Sequence, residues 1–271
     1  MPELPEVETI RAGIADYIVG RKVVDLVVRN SQLRVPISDE LRTEFPGQIL
    51  NAVDRRAKYL LFRTNTGTML LHLGMSGSLR LLREIVPPGI HDHLDINFDG
   101  EITIRFNDPR RFGKILWITG DPLQQLPLCN LGPEPLDSEF TGNYLYQRSR
   151  GRRIAIKSLI MDQRIVSGIG NIYATEALFR AGIHPIRAVG SIDEGRYQQL
   201  IIAIRQVLTE AIAKGGTTLR DFHHADGQAG YFQFALQIYG RAGKDCPNCG
   251  HLIKEERHGQ RNSFYCTHCQ T

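Results

Sequence analysis

Of 271 residues only five are cysteine and one is tryptophan, and no apolar run reaches the length that crosses a bilayer. No membrane-spanning helix is therefore expected. An excess of either charge is also missing: 33 Lys and Arg against 29 Asp and Glu leave a formal charge of +4. A nucleic-acid partner would then require positive charge gathered on one face. The opening stretch is acidic and lacks an apolar h-region, so no signal peptide is expected and the setting read from it is cytoplasmic. Long internal repeats and low-complexity segments are absent as well. Four of the five cysteines fall in two close pairs, which in an intracellular chain points to metal rather than disulfides.

What is present divides the chain. Val7, Ile10, Ile14, Tyr17 and Ile18 recur at helical spacing, predicting a helix over 5–18. From there to about Thr119 the runs KVVDLVV, KYLLFR, TMLLHL, LDINFD, EITIRF and KILWIT read as short strands with alternating faces, as at Ile102, Ile104 and Phe106. The Pro-, Gly- and Asp-containing stretch LGPEPLDSEFTGN has the composition of a hinge. Beyond it the pattern becomes helical, with Ser191 to Glu194 reading as a capping box and Gly215-Gly216 as a stop. The fold class is α+β and multidomain: an N-terminal helix with an antiparallel β-sandwich or barrel (1–131), a hinge (132–150), a helical domain (151–238) and a metal-bound hairpin (239–271).

Cys246-Pro-Asn-Cys249 and Cys266-Thr-His-Cys269 are two C-x2-C knuckles, the pattern that supplies four thiolates to one structural Zn²⁺. His251, His258 and His268 rank behind the cysteines as ligands because they break that symmetry. Between the knuckles, HLIKEER and NSFYC read as strands and HGQR as their turn, presenting Arg261 at the tip. An arginine on a rigid hairpin suits a phosphate or a groove. So short a module buries little core, and the metal folds it. Cys129 stands alone and reads as a small buried hydrophobe. Gly168 and Gly170 precede Asn171 and a helical run, a turn that can bring a helix N-terminus to an anion or simply start a helix. Two basic groups, Arg55, Arg56 and Lys58, and Arg148, Arg150, Arg152, Arg153 and Lys157, would each ordinarily be a solvated surface.

Taken together, PELPEVET at the start, RRAKY at 55–59, HLGMSG at 72–77, NDPRRFG at 107–113, GIGNIYATE at 168–176 and the terminal knuckles resemble the bacterial formamidopyrimidine-DNA glycosylase family across the whole chain. Relatives acting on oxidised pyrimidines typically begin PEGPE, so Leu4 favours the oxidised-purine branch. The resemblance implies a DNA glycosylase and abasic-site lyase of base excision repair, with a helix–two-turns–helix domain, one structural zinc ion, and a monomer acting on double-stranded DNA that carries an oxidised base. It implies that Pro2, with Met1 trimmed, is the nucleophile and that Glu3 is catalytic. Glu6 supports the first helical turn. An α-amino group titrates near ~8, far below lysine, which suits an amine nucleophile at neutral pH. Met75, Arg110 and Phe112 would fill the space left by an everted nucleotide. Lys58, Asn171 and Arg261 would grip flanking phosphates, Lys58 and Arg261 being counted with the catalytic set. His72, His91, Lys157 and Tyr239 join the DNA-contacting set. A metal or acid/base role for His91, His93, His223 and His224 is set aside, and the segment GGTTLRDFHHADGQAGYF is expected to lie over the everted base.

Overall fold

The computed structural model describes residues 1–216 and 236–271; residues 217–235, with His223, His224 and most of the expected base-covering segment, lie outside the described residues. The chain forms two compact units, Met1–Cys129 with Lys214–Gln233, and Asn130–Ala213 with Phe234–Thr271. The architecture is α+β, and among the described residues all strand pairing is antiparallel.

The first unit opens with helix α1 (Leu4–Ile18), whose Val7, Ile10, Ile14 and Ile18 are buried while Tyr17 stays half-exposed beneath the Arg83 guanidinium. Strands β1 (Val23–Val28), β6 (Asp92–Phe98), β7 (Ile102–Asn107) and β5 (Ser78–Leu82) form one sheet in the order β1-β6-β7-β5. Strands β2 (Ala52–Arg56), β3 (Tyr59–Arg63), β4 (Thr68–His72) and β8 (Lys114–Ile118) form the second in the order β2-β3-β4-β8. A short helix α2 (Asp39–Glu44), capped by the Ser38 hydroxyl, lies between β1 and β2 in the chain. One continuous apolar cluster joins the two sheets and α1: Ile96, Ile104 and Phe106 from the first, Phe62, Leu71 and Trp117 from the second, Ile10 and Ile14 from the helix. This is a sandwich core, built from alternate inward side chains of each strand.

The second unit contains α3 (Gly142–Ser149), α4 (Ile156–Met161), α5 (Asn171–Arg180) and α6 (Glu194–Ala213), with α6 packed on both α3 and α5. Tyr197, Leu200, Ile201, Ile204 and Leu208 are the buried stripe of α6, as their spacing predicts. Its start differs from the expected Ser191 box. Asp193 caps the helix, its carboxylate accepting the Arg196 N–H at 2.9 Å, while the Ser191 hydroxyl donates to the Ala188 carbonyl in a preceding 3-10 turn. The last two strands, β9 (Lys254–His258) and β10 (Arg261–Tyr265), pair as a hairpin closed by Gly259 and Gln260. Gly259 has φ +61°, a conformation glycine adopts without steric cost, and Arg261 opens the returning strand. Among the described residues no helix is long and apolar enough to cross a membrane.

Candidate functional site

The N-terminus is enclosed. Pro2 is buried, as are Glu3 (3% exposed), Glu6 (1%) and Lys58 (6%). Glu3 is the N-cap of α1, and its backbone N–H donates to the Glu6 carboxylate at 2.8 Å, one half of a capping box that fixes the first turn. Pro5 sits in that turn, where its missing N–H costs nothing. The terminal ammonium, here that of Met1, is held below its ordinary pKa chiefly by burial, with Lys58 and Arg110 adding repulsion against the opposing pull of Glu3 and Glu6. Two carboxylates and two cations therefore act electrostatically on the chain's first nitrogen. Lys58 arrives on the two-residue connection between β2 and β3, where Ala57 takes φ +53°, an uncommon angle for a residue with a Cβ. Gly216 closes the arrangement: a Cβ there would meet the Glu6 Oε1 at 2.9 Å, and its φ is +79°. The sequence reads Gly216 only as a helix stop; its contact with Glu6 is a second reason for glycine.

Met75, Arg110 and Phe112 lie on adjoining loops and are all exposed, Met75 by 43% and Phe112 by 40%. Two large apolar side chains this open are at odds with the buried pair such residues usually form. Arg110 stacks over the Phe112 ring at 4.8 Å. The loops touch through backbone: a Cβ on Gly74 (φ +70°) would come within 2.5 Å of the Phe112 carbonyl carbon. Beneath them Asp108, fully buried, takes the Ser76 hydroxyl on Oδ1 (2.7 Å) and the Gly113 N–H on Oδ2 (2.7 Å). Its N–H donates to the His91 carbonyl at 3.0 Å, and its own carbonyl lies 2.8 Å from the His93 Nε2. Asp108 thus ties both loops to β6. The motif NDPRRFG contains it, but a buried acid leaves no periodic signal. His91 itself is exposed at this junction, and His93 is buried.

His72, at the end of β4, pairs across the sheet with Tyr59 on one side and Lys114 on the other, its ring 4.7 Å from that of Tyr59. Its Nδ1 accepts the Gly74 N–H at 3.0 Å, so the ring is neutral with its proton on Nε2. Burial, with Lys58, Lys114 and Arg34 nearby, lowers its pKa to about 4.

In the second unit, Gly170 caps α5 and Asn171 is its first residue. The preceding turn is held by Gln163, which accepts the Gly168 N–H at 2.8 Å and donates to the Ile169 carbonyl at 2.9 Å. The Asn171 amide donates to the Asn262 carbonyl at 3.2 Å, next to Arg261 in β10. Lys157 is buried, its Nζ donating to the same carbonyl at 3.0 Å and to the Ser263 hydroxyl at 2.9 Å. Arg261 is exposed. Tyr239 is half-buried, its ring 5.1 Å from that of Phe264.

The Sγ atoms of Cys246, Cys249, Cys266 and Cys269 all lie within 4.8 Å of one another. Cys246 and Cys269 are 3.8 Å apart, Cys249 and Cys266 3.4 Å. Tetrahedral thiolates about 2.3 Å from Zn²⁺ stand ~3.8 Å from each other, so the set fits. His251 and His268 instead stack on each other at 4.6 Å. The four cysteines hold one structural zinc ion, and with four protein ligands no position is left for a substrate. Cys129 is exposed, against the expectation that it is buried.

Comparison with known proteins matches the chain in three consecutive stretches: the formamidopyrimidine-DNA glycosylase N-terminal domain at residues 1–115, the H2TH domain of the same enzymes at 131–223, and the zinc finger found in FPG and IleRS at 243–271. The formamidopyrimidine-DNA glycosylase of Syntrophotalea carbinolica is 55% identical over 270 residues, covering all of both chains. Among solved structures, the MutM (Fpg) protein of Thermus thermophilus superposes with a TM-score of 0.90 at 35% identity, covering 99% of this chain and 98% of that one. A Lactococcus lactis Fpg variant bound to Fapy-dG-containing DNA gives 0.92 at 32% identity, with 99% of each chain covered. Identity above one half along the full length, with all three domain types in order, settles the matter: the chain belongs to the formamidopyrimidine-DNA glycosylase family.

Proposed function

We propose that this protein is a bifunctional DNA glycosylase and abasic-site lyase of base excision repair that removes oxidised purines, 8-oxoguanine and formamidopyrimidines, from double-stranded DNA. The observation that carries the reading is the partly buried first nitrogen of the chain, on which the charges of Glu3, Glu6, Lys58 and Arg110 act, in a member of this family. Removal of Met1 leaves the Pro2 imino group among the same charges. Burial lowers the pKa of an amine in that position, which raises the unprotonated, nucleophilic fraction at neutral pH.

The Pro2 nitrogen attacks C1′ of the damaged nucleotide as the bond from C1′ to the base breaks, and the base departs with the electron pair and takes up a proton. Glu3 protonates O4′ as the C1′–O4′ bond opens, leaving an iminium between Pro2 and the sugar. The iminium acidifies the C2′ hydrogen; its loss expels the 3′ phosphate, and a second elimination from C4′ expels the 5′ phosphate. Water then hydrolyses the adduct and returns the amine. Glu6 holds the Glu3 backbone in place. Met75, Arg110 and Phe112 occupy the gap left in the stack, with Arg110 facing the widowed base. Lys58, Asn171 and Arg261 bind the flanking phosphates, and His72, His91, Lys157 and Tyr239 support the same duplex. The protein acts as a monomer, in the cytoplasm and on nucleoid DNA, with residues 1–131 as the catalytic domain, 132–150 as hinge, 151–238 as DNA-binding domain and 239–271 as zinc hairpin.

Borohydride added during incubation with an 8-oxoguanine duplex is expected to freeze the iminium as a protein–DNA cross-link mapping to Pro2. Active enzyme that yields no trapped species would overturn the mechanism. Glu3→Gln is expected to lose excision while retaining duplex binding. A second reading, release of oxidised pyrimidines, is favoured by the Lactococcus lactis enzyme having been solved with oxidised-pyrimidine DNA. Parallel excision assays on both lesions decide it, and dominant pyrimidine release would displace the purine assignment.

A further inference from the structure

Glu176 has no part in the chemistry above, yet it is a buried carboxylate, 3% exposed, in the middle of α5. It accepts three successive backbone N–H groups: Gln237 on Oε2 at 3.0 Å, and Ile238 and Tyr239 on Oε1 at 3.0 and 2.8 Å. An anion spread over consecutive amides is the arrangement by which backbone nests hold phosphates, here filled by the protein's own side chain. A buried charge is an expensive way to join two segments when apolar contact would do, and it earns its place where geometry must be specified.

The geometry in question is that of the zinc hairpin on α5. Ile238 belongs to one apolar cluster with Phe179 of α5, Cys246, Ile253, Phe264 and Cys266. Glu176 therefore fixes the chain where it enters the zinc module. A second attachment lies at the N-terminus of the same helix, where Asn171 and Lys157 both donate to the Asn262 carbonyl, one residue from Arg261. Five residues of helix separate Asn171 from Glu176, about 7.5 Å along the axis. Apolar packing alone permits sliding and rotation; two directional attachments that far apart do not.

We propose that Glu176 is a positioning residue for DNA binding, which sets the register of the hairpin on α5 so that Asn171 and Arg261 reach phosphates of one strand together. This rests on the phosphate-binding reading of those two residues. A residue that only stabilised the fold would weaken binding independently of Arg261, whereas a residue acting through the position of Arg261 has nothing further to lose once Arg261 is gone.

The test is a double-mutant cycle of full-length, zinc-loaded protein: wild type, Glu176→Gln, Arg261→Ala and the double variant, each titrated against a duplex with a tetrahydrofuran abasic analogue over a range of salt concentrations. Arg261→Ala is expected to weaken binding roughly tenfold and to lower the salt slope by about one. Glu176→Gln should reproduce both effects with zinc content and circular dichroism unchanged, and should add less than about threefold in the Arg261→Ala background. Equal penalties in both backgrounds, or a wild-type salt slope in Glu176→Gln, would overturn the positioning role while leaving the phosphate reading intact. An unchanged slope in Arg261→Ala would remove the phosphate reading and the positioning role with it. Where Glu176→Gln fails to retain zinc, Glu176→Asp, which keeps the charge on a shorter arm, enters the same cycle with the same expectations.

Discussion

His72 shows how a single side chain couples this site to pH. Its Nδ1 is committed to the Gly74 N–H, and protonation would break that bond and place a charge on a largely buried ring that already feels the cations Lys58, Lys114 and Arg34. The folded-state pKa of about 4 lies below the 6.5 of an ordinary histidine. Between these values the unfolded chain binds a proton that the folded chain refuses, so stability rises with pH across that window and falls as pH drops from 6.5 towards 4. At about 1.4 kcal/mol per pH unit the contribution is of order 3 kcal/mol. Asn at this position can present a carbonyl to Gly74 without titrating. Unfolding free energies of wild type and His72→Asn, measured from pH 7.5 to 4, should diverge by a few kcal/mol on the acid side. Parallel curves would mean that His72 is protonated in the folded protein. Asp108 makes a different point at the same scale. The motif NDPRRFG draws attention to Arg110 and Phe112, yet Asp108 holds their loop against the Ser76 loop. Partnerships between residues 32 apart in the chain are invisible to any local pattern.

Among the elements, those with a strong apolar pattern are legible and those without one are not. The helix over 5–18 and six strands were expected close to where they form, because each buries an apolar face. The two strands without a sequence signal, β2 (AVDRR) and β5 (SLRLL), are both sheet edges, and most of their residues are only half-buried. An edge strand can carry polar residues on its open side, and in β2 and β5 these hide the alternation, whereas the other two edges, β1 and β8, keep apolar runs. The start of α6 differs from its expected position for another reason. Ser191 and Asp193 are both competent caps, and composition alone does not choose between them. In the structure Asp193 meets the Arg196 N–H and Ser191 turns back to Ala188. Asp193→Ala is accordingly expected to destabilise the protein by about 1 kcal/mol and Ser191→Ala by under ~0.5 kcal/mol, read from paired denaturant titrations. The reverse order would restore the Ser191 cap.

At the scale of the whole molecule, Pro2, Glu3, Lys58, Arg110 and Phe112 belong to one unit and Asn171, Tyr239 and Arg261 to the other. The sequence could name these segments because each carries a compact motif, but not the attachments through Asp108, Gln163 and Glu176 that hold them in place. Among the described residues, the cluster joining the two sheets and the cluster around the cysteines share no residue. That separation gives zinc a local role. Its loss would leave the hairpin with Phe179, Ile238, Ile253 and Phe264 as apolar support, too little to keep Arg261 in register. The chain's only tryptophan, Trp117, is buried in the other cluster and reports on it alone. Stripping the metal with a thiol-reactive mercurial should therefore lower duplex affinity and reduce the salt slope by about one. The Trp117 fluorescence transition on heating should shift by less than about 2 °C. A Trp117 transition that fell along with DNA binding would mean that the zinc hairpin supports the sandwich core, and the two clusters would have to be treated as one cooperative unit.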